Sequence, residues 1–226
     1  MRQALLGAMA LLFFSSAFAQ IQTDLLVGSS KADNSFVTLR ASGMVSEGIR
    51  LGASYQFSNY RYRFVDARPV SDGVAHTLRF ILVGRLAESN LLRLDGFLQP
   101  GFRLLTIDPS VVQDFSYDFQ AGQAIILEPG LVVTLKASDR LNFHTGVNTH
   151  MAFQTSPEAL FEQFPSAQIL AGASYRVTER WAVFSSTQTG PMAGAMGDSE
   201  KFFWQLALGL RYSLSPLSSS TQIFGF

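Results

Sequence analysis

The chain has 226 residues and a mass of 24.8 kDa, the size of a single domain. Its 17 basic and 17 acidic side chains cancel, which argues against a nucleic-acid partner bound by bulk charge. The absence of cysteine excludes disulfides, thiolate metal sites and thiol nucleophiles, and 47% hydrophobic against 15% charged residues demands a large core or a lipid-facing surface.

Residues 1–19 read as a secretory signal peptide. Arg2 supplies the positive start, Ala4 to Phe14 form an apolar stretch, and Ala17-Phe18-Ala19 is a small-x-small cleavage site before Gln20. The stretch falls short of the ~20 residues that a spanning helix requires. A cysteine-free exported chain fits a bacterial envelope.

Beyond the leader no long apolar run occurs, so helical spans are excluded. What recurs is period-two alternation, the pattern of a strand with one apolar and one polar face. In chain order the strands fall at 22–29, 35–44, 48–58, 77–86, 91–105, 120–136, 141–153, 168–177, 181–189 and 201–214. In the third, Ile49, Leu51, Ala53, Tyr55 and Phe57 interleave with Arg50, Ser54 and Gln56. In the fifth, Leu92, Leu94, Leu98, Phe102 and Leu104 interleave with Arg93, Asp95, Gln99 and Arg103, and in the seventh, Leu141, Phe143, Val147, Met151 and Phe153 with Asn142, His144, Asn148 and His150. The last runs through Trp204, Leu206, Leu208, Leu210 and Tyr212.

Short polar turns at 45–47, 87–90, 137–140 and 178–180 alternate with longer connections at 59–76, 106–119, 154–167 and 190–200. Short turns on one side and long loops on the other are the pattern of a transmembrane barrel, with the turns in the periplasm. The expected fold is therefore all-β: a closed antiparallel up-and-down transmembrane β-barrel of about ten strands over residues 20–214, with a tail at 215–226. Eight strands result if the weak first pair stays out of the wall. A soluble sandwich or lipocalin-like barrel is the alternative, with the apolar face meeting a second sheet instead of lipid.

The stretch Gln205 to Leu214, with Gly209 followed by Tyr212 and Leu214, resembles the assembly signal of small bacterial outer-membrane β-barrel proteins, and the aromatic Phe226 is the final residue, as is common among them. The resemblance is one of pattern over the mature chain and identifies no family within the class. The tail Ser215-Pro216-Leu217-Ser218-Ser219-Ser220 departs from it by breaking the last strand. The resemblance implies a place in the bacterial cell outer membrane, with outer-membrane lipid and the barrel-assembly machinery as partners. Tyr175, Trp181 and Tyr212 would then form the inner aromatic belt, and Phe153, Phe202 and Trp204 the outer one.

With the apolar faces outward, the lumen receives Arg40, Arg50, Arg79, Arg85, Arg93, Arg103, Lys136, Arg176 and Arg211 against Asp24, Asp95 and Glu128. Cations concentrated in a low-dielectric passage favour anions, so one reading is a narrow channel or cavity for a small anionic solute. The other is a lumen filled by these side chains, since small barrels are just wide enough for that. The turn at 137–140 pairs Lys136 with Asn142 and so sets Glu128 opposite His150, with His144 lower on the same face. A carboxylate–imidazole pair can orient a general base, and a hydrolase built on it would need a serine such as Ser174 or Ser186. Otherwise the pair is a satisfied polar contact. Pro-Gly steps at Pro100-Gly101 and Pro129-Gly130 on neighbouring strands predict bulges, or a gap between strands that a hydrophobic solute could use. No metal or cofactor pattern occurs. The expected role is structural or that of a narrow solute channel without enzymatic activity; the alternatives are the His150–Glu128 hydrolase and an adhesion or scaffold protein acting through its outer loops.

Overall fold

The computed structural model describes residues 19–30, 33–63, 69–107, 122–156, 166–191 and 202–217. They form ten strands: β1 Ala19–Ser30, β2 Asp33–Ser46, β3 Ile49–Arg63, β4 Pro69–Glu88, β5 Leu92–Ile107, β6 Gly122–Lys136, β7 Leu141–Ser156, β8 Ser166–Arg176, β9 Trp181–Pro191 and β10 Phe202–Ser213. Each pairs antiparallel with its sequence neighbours, and β1 pairs with β10 to close the barrel.

The side-chain alternation dictates which way each strand faces. Along β10, Trp204, Leu206, Leu208 and Leu210, and Leu214 just after it, are exposed while Ala207, Arg211 and Ser213 are buried. Leu208 is 61% exposed and Arg211 1%, the inverse of a water-soluble protein. The same holds around the wall, with Leu39, Leu51, Phe80, Phe102, Leu131, Phe143, Ile169 and Val183 all outward. An apolar girdle with polar side chains inside is the signature of a barrel solvated by lipid, which sets aside the soluble sandwich. Outward threonines return their hydroxyls to the wall: Thr145 donates to the Leu170 carbonyl (3.3 Å) and Thr187 to that of Gln205 (3.1 Å). Such back-bonding lets a hydroxyl face hydrocarbon without an unmet donor.

Three of the turns share one device. Ser89 Oγ accepts the Leu92 amide at 3.0 Å, Ser138 Oγ the Leu141 amide at 3.0 Å, and Thr178 Oγ1 the Trp181 amide at 3.1 Å. A hydroxyl three residues before the next strand stands in for a backbone carbonyl, which is why these segments turn rather than extend. The fourth turn is only Glu47-Gly48, because β2 runs on to Ser46, and Gly48 takes φ 80, a conformation open to glycine.

The expected long connection at 59–76 is mostly strand. β3 and β4 pair continuously from Ile49↔Gly84 to Tyr62↔Ser71 and end at Arg63↔Pro69, so this hairpin reaches well past the apolar girdle. Residues 108–121, 157–165 and 192–201, which hold most of the other three connections, lie outside the described residues, as do residues 1–18 and 218–226. β1 begins at Ala19, three residues earlier than the alternation alone predicts.

Three inward phenylalanines lie over glycines directly across the ladder: Phe36 opposite Gly28, Phe97 opposite Gly130 and Phe184 opposite Gly209. A Cβ added at Gly209 would lie 2.2 Å from Phe184 Cζ, and one at Gly130 2.3 Å from Phe97 Cζ. The glycines make room for a flat ring, a packing that also pins register. Gly209→Val is expected to lower the urea midpoint of the detergent-folded barrel, whereas the same change at Gly84, where a Cβ meets nothing within 4 Å, is expected to be tolerated. Equal midpoints for the two variants would sink the ring-over-glycine account.

Candidate functional site

The site is the lumen, and the registers stack its side chains in three tiers. The tier nearest the short turns is charged. Asp24 on β1 accepts Arg211 Nε at 2.7 Å and Arg211 Nη2 at 2.9 Å from β10, with Arg40 Nη1 of β2 at 3.8 Å. Arg93 Nε donates to both oxygens of Asp95, at 2.9 and 2.7 Å. Arg50 Nη1 reaches Ser42 Oγ and the Gln20 carbonyl, each at 3.4 Å. All of these guanidinium and carboxylate groups are buried. At the mouth, Glu88 holds Arg85 and Lys136, each at 2.6 Å.

The middle tier is apolar. Ile81, Val83, Phe97, Val132 and Leu170 form one buried cluster inside the barrel, and Leu26, Phe36, Phe184 and Ala207 another. The Arg211 guanidinium carbon lies 5.1 Å from the centre of the Phe184 ring, joining this tier to the charged one by a cation–π contact.

The upper tier, toward the long connections, is polar again. Glu128 Oε2 accepts Arg79 Nε at 3.0 Å, and Glu128 Oε1 lies 2.6 Å from His150 Nδ1. Arg79 Nη1 also donates to Gln56 Oε1 at 3.2 Å, and Gln188 donates to Gln168 and to Asn148. Arg103 is half-buried toward the far end of β5.

The expected Glu128–His150 juxtaposition is present, with Lys136 opposite Asn142 as the short turn requires. Arg79 joins them as a third member on Glu128. No serine was placed beside His150 by the sequence. Ser174 instead lies 3.1 Å from His144 Nε2, whose Nδ1 is 3.0 Å from Thr134 Oγ1. Both imidazole nitrogens of His144 thus face hydroxyls, and both Ser174 and His144 are buried. Ser186 is buried on β9 opposite Gly172 and Ala207. Among the described residues no group of three His, Asp or Glu could hold a metal ion.

Tyr175 and Trp181 are exposed beside one short turn, and the Trp181 ring lies 4.8 Å from that of Tyr212. Trp204 is exposed near the opposite end of β10 and Phe153 is half-buried on β7; the Phe202 side chain lies outside those described. An outward pair that sequence reading did not single out joins them: Tyr55 Oη lies 2.6 Å from His76 Nδ1, and Phe57 meets the same imidazole edge-on.

Past β10 the chain turns under the mouth. Leu217 is 3% exposed, its amide donates to the Glu179 carbonyl at 2.6 Å, and Arg176 Nη1 donates to its carbonyl at 2.7 Å.

A closed, even-numbered, antiparallel wall that is apolar outside and charged within has the architecture of bacterial outer-membrane β-barrels. No family model matches the sequence and no curated protein matches it. Among solved structures, the chain is similar to the translocator domain of the autotransporter NalP from Neisseria meningitidis, at 11% identity and TM-score 0.47, covering 93% of this chain and 95% of that one. It is also similar to the outer membrane protease OmpT from Escherichia coli, at 12% identity and TM-score 0.46 over 88% and 94%. A third is the N-terminal β-barrel domain of Pseudomonas aeruginosa OprF, at 13% identity and TM-score 0.39 over 86% and 97%. At these identities the likeness is one of fold.

Proposed function

We propose that this chain is an integral protein of the bacterial outer membrane, exported behind the leader of residues 1–19, with a structural role and a lumen closed to solutes. The observation that carries this reading is the middle tier: apolar side chains from β4, β5, β6 and β8 meet inside the barrel, between two polar layers. Hydrated ions crossing it would lose water against Ile81, Val83, Phe97, Val132 and Leu170, none of which offers a polar group in exchange. The charged tier below supports the same reading, because its carboxylates Asp24 and Asp95 are engaged by arginines rather than lining a wet passage. The aromatic residues near the two ends of the apolar girdle fit a bilayer with Tyr175, Trp181 and Tyr212 at one interface and Trp204 at the other.

The surplus of arginine over carboxylate remains, so the lumen is anion-favouring in sign although it is shut. A small anionic solute would gain from Arg40, Arg50, Arg93 and Arg211 only if the middle tier opened. The purified barrel in a planar lipid bilayer is expected to give no conductance steps in molar KCl. Regular steps from the unmodified chain would overturn the closed lumen.

A further inference from the structure

Two ladders of the wall are interrupted at proline. Between β4 and β5 the pairing runs as far as Arg79↔Gly101 and resumes at Leu82↔Leu98, skipping Phe80 and Ile81 opposite Gln99 and Pro100. Between β6 and β7 it stops at Leu127↔Met151 and resumes at Gly130↔Asn148, skipping Glu128 and Pro129 opposite Thr149 and His150. Register is the same on both sides of each gap, so these are not bulges; each proline lacks the N–H that the ladder needs. In an antiparallel sheet the N–H and C=O of one residue address the same neighbour. Pro100 therefore weakens the bond to β4, and Pro129 the bond to β7. Between themselves β5 and β6 stay fully paired, through Leu98↔Pro129, Gln99↔Glu128 and Pro100↔Leu127.

The hairpin is thus a unit loosened along both flanks at one level, and one side chain ties both flanks from inside. Glu128, on the hairpin, is held by Arg79 from β4 at 3.0 Å and by His150 from β7 at 2.6 Å. We propose that the β5–β6 hairpin is a movable panel of the barrel wall, latched by Glu128, and that its release joins the upper lumen sideways to the surrounding lipid. The β4–β5 gap begins at Ile81 of the apolar tier and both gaps extend from that level toward the upper lumen, so the path does not run through the charged tier below. The path suits a nonpolar or amphipathic solute, which would leave between strands that present Phe80, Leu98, Leu127 and Met151 on their outer side.

The test uses the whole barrel in lipid nanodiscs. In the unmodified protein, backbone amides of β4 and β7 at the two gaps are expected to exchange hydrogen at least tenfold faster than those of the β5–β6 ladder at the same level. Glu128→Gln is expected to speed the flanks a further tenfold and to leave β1, β2, β9 and β10 unchanged. It should also let a lipid carrying a diazirine in its acyl chain label the inward residues Gln99 and Asn148. Adding Pro129→Ala returns an N–H donor and is expected to restore protection on the β7 flank alone. Flanks as protected as the β5–β6 ladder in the unmodified protein would overturn the proposal, as would a uniform rise around the barrel in Glu128→Gln. So would a folded Glu128→Gln barrel that the lipid labels only on its outer face.

Discussion

Asp24→Ala is expected to be among the most damaging single changes in the barrel. The carboxylate receives two bonds from Arg211 and lies 3.8 Å from Arg40, and all three groups are buried. Removing it leaves two guanidinium groups facing each other in a region that water does not reach. Breaking a buried pair in this way typically costs about 3–5 kcal/mol, most of it the penalty for the charge left behind. Surface ion pairs contribute far less, so removing the rim carboxylate with Glu88→Ala is expected to cost about 1 kcal/mol or less. Urea unfolding of the two variants in detergent micelles, followed by the mobility of the folded band on a gel, compares them directly. If Asp24→Ala unfolds at the same urea concentration as Glu88→Ala, the charged tier does not hold the wall together as described.

The second large effect concerns the middle tier. Phe97→Ala combined with Leu170→Ala deletes two of the side chains that meet inside the barrel. A buried Phe→Ala change costs about 3–5 kcal/mol, so the variant is expected to be less stable but still closed by its ten ladders. With the plug thinned, a bilayer containing this variant is expected to show conductance that the unmodified chain lacks. The current should be carried mainly by anions, because Arg40, Arg50, Arg93 and Arg211 then face the passage against Asp24 and Asp95. The reversal potential in a KCl gradient reads that preference. A folded variant that still does not conduct would move the barrier elsewhere, and a potassium-selective current would refute the electrostatic reading of the lumen.

Sequence reading recovered the wall because the period of a strand is two and one face meets lipid. Strand count, parity and the short turns follow from that. Glu128 opposite His150 was readable for a related reason: the tight turn at 137–140 sets the register of β6 on β7, and counting back from Lys136↔Asn142 brings the two together. The partner of Ser174 was not readable, because β7 and β8 are joined by a long connection that leaves register undetermined; the structure gives it His144.

The apolar tier was hidden for another reason. Leu25-Leu26-Val27, Phe80-Ile81-Leu82-Val83 and Leu131-Val132-Val133 are apolar on both faces, so alternation cannot say which members point inward. Of the phenylalanine–glycine pairs only Phe36 opposite Gly28 offers a usable signal, because a short connection joins its strands, whereas Phe97 opposite Gly130 and Phe184 opposite Gly209 lie across long ones. The reach of β3 and β4 past the girdle escaped notice because strand outside the membrane has no lipid-facing residues to alternate.

The strands that meet at the closing ladder are the first and the last, and the Arg211–Asp24 bond spans 187 positions of sequence. Hairpins can zip one after another along the chain, but this final edge-to-edge union cannot begin until β10 has been delivered. Until then the growing sheet carries two raw margins, each ready to recruit a stray strand from another molecule. A carboxylate on one margin and a guanidinium on the other make the correct partner recognisable, so the contact that stabilises the finished cylinder also guards the slowest moment of its birth.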